Sequence, residues 1–171
     1  MQPSASPPGA APAIAQGSLV TSDPEETRSI GRALGSAATP GTVLALRGEL
    51  GAGKTQLAKG VAEGLGVQTT VNSPTFVLMN EHVGRLRLYH VDAYRLSDPE
   101  EALAAGLLDE RQSGGVAVVE WADHLDGLLT DDRLEIELAP VPGEDRSRLI
   151  GWRATGPQHA ALAMRALGGA S

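Results

Sequence analysis

Gly48-Glu49-Leu50-Gly51-Ala52-Gly53-Lys54-Thr55 fits the pattern G-x-x-x-x-G-K-[ST] at every fixed position, and the apolar stretch Thr42 to Leu46 feeds directly into it. Glycines at 48, 51 and 53 allow backbone angles closed to other residues, so successive N–H groups can turn inward and cradle phosphate oxygens. In such a loop Lys54 reaches the β and γ phosphates and the Thr55 hydroxyl binds Mg²⁺. Downstream, Leu57, Val61 and Leu65 recur at a spacing of four, which predicts a helix over Gln56 to Leu65 with its positive end beneath the phosphates. A strand before and a helix after distinguish this loop from a chance glycine-rich turn.

The rest of the chain has to house that loop. Its 171 residues suffice for one well-buried domain and are too few for two comfortable ones. Aromatic residues make up only 3%, so the core must be built mostly from Leu, Val and Ala. A formal charge of −7 leaves no overall basic footprint for gripping RNA or DNA. The absence of cysteine excludes disulfides, thiolate zinc sites and cysteine nucleophiles. Met1 to Gly17 carries four prolines and no charged side chain, which reads as a disordered tail preceding a single domain over residues 18–171. That tail lacks the basic start and continuous apolar core of a secretory signal, and no run approaches a bilayer-spanning length, so a cytoplasmic protein without membrane contact is expected.

Around the loop, strands and helices alternate. A short strand is expected near Leu19 and Val20. Ser22-Asp23-Pro24-Glu25 has capping-box spacing ahead of a helix from Asp23 to about Ala38, and Pro40-Gly41 breaks the chain before a strand over Thr42 to Arg47. Phe76 to Met79 and Leu86 to Val91 read as an antiparallel hairpin turning at His82-Val83-Gly84. Asp98 to Leu108 reads as a helix, and Val116 to Glu120 as a buried central strand. Arg133 to Leu138 and Arg148 to Arg153 follow as strands, with a closing helix over His159 to Leu167. The fold class expected is a three-layer α/β domain of the P-loop NTPase kind, with a mixed, mainly parallel sheet and an antiparallel hairpin.

A nucleotide hydrolase needs a metal, groups that fix it and a group that orients the attacking water. Glu120 closes an apolar strand, where phosphate-loop proteins usually place an acidic metal ligand. It could touch Mg²⁺ directly or position the water. Asp92 shares a strand face with Leu86, Leu88 and His90, and could hold Mg²⁺ through water, orient the nucleophile or simply cap a turn. His90 reads as a structural hydrogen-bond donor. Ser73 and Thr75 offer hydroxyls in a Ser-Pro segment placed to respond to a γ-phosphate, or merely to turn the chain. Trp121, opposite Glu120 by alternation, could pack the core, stack on a base or face a partner. Arg95 and Arg111 are candidates for neutralising a transferred phosphoryl group.

Gly48 to Thr55, Ser73-Pro74-Thr75-Phe76, His90 through Leu96 and Glu120-Trp121, in this order and spacing, resemble the TsaE family, also called YjeE, over about Leu19 to Arg153. The loop alone is shared with many families; the other three blocks together are specific. The resemblance implies a bacterial ATP hydrolase using ATP and Mg²⁺ in tRNA N6-threonylcarbamoyladenosine formation. It implies TsaD and TsaB as partners, with tRNA met through their complex. It assigns phosphate binding to residues 48–55, the metal to Thr55, Glu120 and Asp92, and nucleotide sensing to Ser73 through Phe76. The full binding set is Gly48, Glu49, Leu50, Gly51, Ala52, Gly53, Lys54, Thr55, Gln56, Ser73, Thr75 and Trp121, with Lys54, Asp92 and Glu120 as the catalytic groups. The tail before Gly17 and the helix after Pro157 fall outside the resemblance and read as features peculiar to this member. A small-molecule kinase is the alternative, although no arginine cluster supplies its lid. A GTP switch would need N-K-x-D and D-x-x-G, and both are missing.

Overall fold

A computed structural model describes residues 13–49, 51–71, 79–93, 114–125 and 129–168. The loop-bearing strand, β2 (Thr42–Arg47), lies inside a seven-stranded sheet. The other strands are β1 (Ala15–Thr21), β3 (Met79–His82), β4 (Leu88–Asp92), β5 (Val116–Glu120), β6 (Leu134–Val141) and β7 (Glu144–Ala154). Their order is β1-β7-β6-β2-β5-β4-β3. The centre, β6-β2-β5-β4, is parallel; β1-β7, β7-β6 and β4-β3 are antiparallel. The sheet is thus mixed as expected, with antiparallel margins on both sides rather than in one hairpin. β5 is buried along its whole length, which explains its unbroken apolar run before Glu120.

Three α-helices are described, α1 (Pro24–Ala37), α2 (Lys54–Gly64) and α3 (Pro157–Leu167), with a short 3-10 turn over Ala122–Leu125. The α-helices share one core with the sheet: Leu34 of α1, Leu57 and Val61 of α2 and Leu162 of α3 pack with Leu44, Val118 and Ile136. The opposite sheet face carries a smaller cluster of Ala45, Val91, Ala93, Val119 and Ala122. The helix expected over Asp98 to Leu108 lies outside the described residues, as do Phe76 to Leu78. No helix among the described residues is long and apolar enough to cross a membrane.

Several boundaries differ from the sequence reading. β1 begins at Ala15, inside the stretch assigned to the tail, because Ala15, Gln16 and Gly17 pair with Ala154, Arg153 and Trp152 of β7. Backbone pairing needs no charged side chain, so composition could not reveal it. The cap of α1 is one residue later than the Ser22–Glu25 box. Asp23 Oδ1 accepts from the Glu26 N–H at 2.8 Å, and Glu26 Oε2 accepts from the Ser22 N–H at 2.6 Å. In the hairpin, β3 runs through His82, so the turn falls beyond it.

α1 and α2 cross backbone to backbone. A Cβ on Gly60 would lie 2.0 Å from the Arg28 carbonyl oxygen, and one on Gly31 2.2 Å from that of Leu57. Arg32 reaches Glu63 across the crossing at 3.0 Å. This contact sets the position of α2, and therefore of Lys54 and Thr55.

α3 is tied to the start of β2 through a fully buried His159. Its Nδ1–H donates to Asp132 Oδ1 at 2.7 Å, so Nε2 is free to accept the Val43 N–H at 2.8 Å. Burial pushes the imidazole below its ordinary value, outweighing the Asp132 carboxylate. An unfolded His159 therefore takes up a proton before the folded one does. Its stabilising contribution is complete above its ordinary value and is lost as pH falls through the lowered one. The thermal midpoint should therefore be lower at pH 5 than at pH 7. His159→Gln, which keeps an acceptor for Val43 and a donor for Asp132, should flatten that slope in a melting series.

Candidate nucleotide site at the C-terminal strand ends

Strands β2, β5 and β4 end level with one another. Leu46 is in register with Glu120, and Glu120 with Asp92, so the loop after β2 and both carboxylates meet at one edge of the parallel sheet. This is where open α/β sheets place their ligands. In the loop itself Gly48, Gly51 and Gly53 have φ of +145°, +79° and +104°, the region that the sequence pattern requires. α2 starts at Lys54, two residues earlier than its apolar spacing suggests, and Gly53 gives its N-terminus no side-chain cap. Its first-turn N–H groups are thereby left to an outside acceptor.

Lys54 is buried and folds back on the loop, donating to the Gly48 carbonyl and, at 2.9 Å, to that of Glu49. Its Nζ stands 4.0 Å from the centre of the Trp121 ring, a cation–π contact. Burial pushes the Lys54 ammonium below its ordinary value, against the pull of Glu120, Asp92 and Asp123. Trp121 packs on the smaller core cluster while its φ of 59° places it in the left-handed region, costly for a bulky residue. That turn breaks the strand alternation and brings the indole to the loop as well as to the core.

The Thr55 hydroxyl faces Glu120 Oε1 at 3.4 Å. Both Glu120 and Asp92 are buried, at 3% and 8% exposure. The second oxygen of Glu120 accepts from His90 Nε2 at 2.5 Å, and His90 is wholly buried. His90 is the hydrogen-bond donor expected from the sequence, but its acceptor is the candidate metal ligand. The signal was its shared strand face with Asp92. Its Nδ1 is buried without a partner.

Among the described residues no group of three or more His, Asp or Glu side chains gathers around one point. The site therefore offers a hydroxyl and two nearby carboxylates rather than a closed cage. That donor set suits Mg²⁺, which keeps waters and shares its shell with phosphates. Adjacent ligands on an ion with bonds of about 2.1 Å stand about 3 Å apart, close to the Thr55–Glu120 spacing. Gln56 is half-buried in the first turn of α2. Leu50, Ser73, Thr75, Arg95 and Arg111 lie outside the described residues.

Residues 21–148 match the family model described as threonylcarbamoyl adenosine biosynthesis protein TsaE. The chain belongs to the TsaE family. Family members are tRNA threonylcarbamoyladenosine biosynthesis proteins. That of Bacillus subtilis is 46% identical over 128 residues, covering 74% of this chain and 79% of the relative. That of Treponema pallidum is 38% identical over 127 residues, covering 74% and 94%. The crystal structure of Bacillus subtilis YdiB superposes with a TM-score of 0.75 at 35% identity, covering 92% of this chain and 97% of that one. So little of this TsaE-family chain is left uncovered that the N-terminal tail and the C-terminal helix cannot both be peculiar to it.

Proposed function

We propose that this chain is the Mg²⁺-dependent ATPase subunit of bacterial tRNA N6-threonylcarbamoyladenosine formation, hydrolysing ATP to support turnover of a TsaD–TsaB complex. The observation that carries the reading is the Thr55 hydroxyl facing Glu120 at the mouth of the glycine-rich loop, with Asp92 in register beside it. Family membership supports the pathway, and the loop and carboxylates support the chemistry.

Lys54 would exchange its bonds to the Gly48 and Glu49 carbonyls for phosphate oxygens, moving relative to the Trp121 ring as it does so. The N–H groups of the loop and of the first turn of α2 would hold the β-phosphate. Thr55 and Glu120 would hold Mg²⁺, which when bound neutralises charge on the β and γ phosphates. Asp92, buried beside Glu120, would orient the attacking water. His90 keeps Glu120 Oε2 engaged, so that Oε1 is the oxygen turned toward Thr55. The acidic surface leaves tRNA to the partners.

Two optical and thermal measurements test nucleotide binding. Mg-ATP should change the fluorescence of Trp121 through the departing Lys54 ammonium, and Trp121→Phe, retaining only Trp152, should abolish the change. Mg-ATP should also raise the thermal midpoint more than Mg-GTP; equal stabilisation by both would remove the ground for preferring ATP. Transfer of the γ-phosphate to a small acceptor would establish a kinase instead.

A further inference from the structure

Arg148 stands on β7, in register with Thr21 of β1 and Pro140 of β6, far from the loop in sequence. Its guanidinium nevertheless ends on the loop. Nε donates to the Ala52 carbonyl at 3.1 Å and Nη2 to that of Gly51 at 3.0 Å. Nη1 donates to the carbonyls of Asp145 at 2.8 Å and Ser147 at 2.7 Å, which anchors the fork to its own strand. The aliphatic stem lies behind Gly53, where an added Cβ would stand 3.9 Å from Arg148 Cγ.

A trans peptide points its N–H opposite its C=O. An arginine that holds the Gly51 and Ala52 carbonyls on one side therefore fixes the Ala52 and Gly53 N–H groups on the other. The Ala52 N–H already closes the loop's own turn by donating to the Glu49 carbonyl at 3.0 Å. The Gly53 N–H is thus the one that the arginine orients for an outside acceptor. All four contacts are with neutral carbonyls, so none supplies a counter-charge to the guanidinium. A fixed positive charge consequently lies directly behind a loop whose ligand is anionic.

We propose that Arg148 is a positioning residue: it presets the Gly51-Ala52-Gly53 backbone for a polyphosphate and lends the loop a positive charge from outside the motif. The proposal rests on the nucleotide reading of the loop. It acts through the backbone, and no contact with the transferred phosphoryl group is required.

Calorimetric titration of the full chain with Mg-ADP, alongside unliganded melting, separates this role from a structural one. Arg148→Ala should weaken Mg-ADP binding by about tenfold to a hundredfold, with the unliganded midpoint nearly unchanged. Arg148→Lys retains the charge and loses the planar fork, and should fall between Arg148→Ala and the wild type. Wild-type binding with both variants within about twofold of it would overturn this proposal alone. No binding by the wild-type chain would overturn the nucleotide reading and this proposal with it.

Discussion

Replacing Glu120 with glutamine should lower Mg-dependent ATP hydrolysis on the order of a hundredfold or more, while the chain stays folded and still binds nucleotide. The side chain keeps its length and its contact with His90 Nε2, so the β4–β5 pairing is undisturbed. What it loses is the negative charge facing the Thr55 hydroxyl. A neutral amide is a much poorer partner for a divalent cation, and the loss falls on the step in which phosphate charge must be neutralised. Thr55→Ala should act on the same step, and combining the two should cost little more than either alone, because both would weaken the one proposed Mg²⁺ site. Phosphate release measured for both single variants and the double variant checks this; full activity in Glu120→Gln would remove Glu120 from the chemistry.

The largest stability effect is expected at the α1–α2 crossing. Alanine is favoured over glycine inside a helix by about 1 kcal/mol, so propensity alone makes Gly60→Ala stabilising. Packing reverses the sign. The new Cβ would lie 2.0 Å from the Arg28 carbonyl oxygen and 2.9 Å from the Gly31 Cα, both backbone atoms that no rotamer change can move aside. The helices must separate, at an overpacking cost of about 1–3 kcal/mol or more. We expect Gly60→Ala to destabilise the chain by about 2 kcal/mol in urea unfolding. Gly151→Ala on β7, where an added Cβ meets nothing within 4 Å, should leave the midpoint unchanged or slightly raised. A stabilised Gly60→Ala would show that the crossing yields.

The loop, β2, α2 and β5 were legible because each is a local pattern: a fixed-spacing motif, a spacing of four and an unbroken apolar run. Asp92 and Glu120 were legible as strand-end carboxylates, although nothing in the sequence says that they stand in register. Register is a long-range property, and it pairs residues 46, 120 and 92 through backbone bonds that carry no residue signature. β1 was half hidden for the same reason. Ser22 and Asp23 are both good capping residues, so the one-residue offset at α1 was decided by geometry and not by composition. Gly31 and Gly60 read as ordinary helical glycines until the two helices are placed together. Arg148 belongs to no motif; only the β6–β7 pairing carries it to the loop. His90 was in view on the right strand face, and what was missing was the neighbouring strand that supplies its acceptor.

ATP hydrolysis coupled to a partner's cycle is the central proposal for this chain. The most direct measurement is phosphate release from Mg-ATP by the purified chain, alone and with TsaD, TsaB, tRNA and a preformed threonylcarbamoyl donor, alongside the yield of threonylcarbamoylated tRNA. The expected result is slow hydrolysis alone, strong stimulation by the complex, and repeated tRNA turnover that Thr55→Ala abolishes. Undiminished turnover with Thr55→Ala, or with ATP withheld after the first cycle, would contradict it.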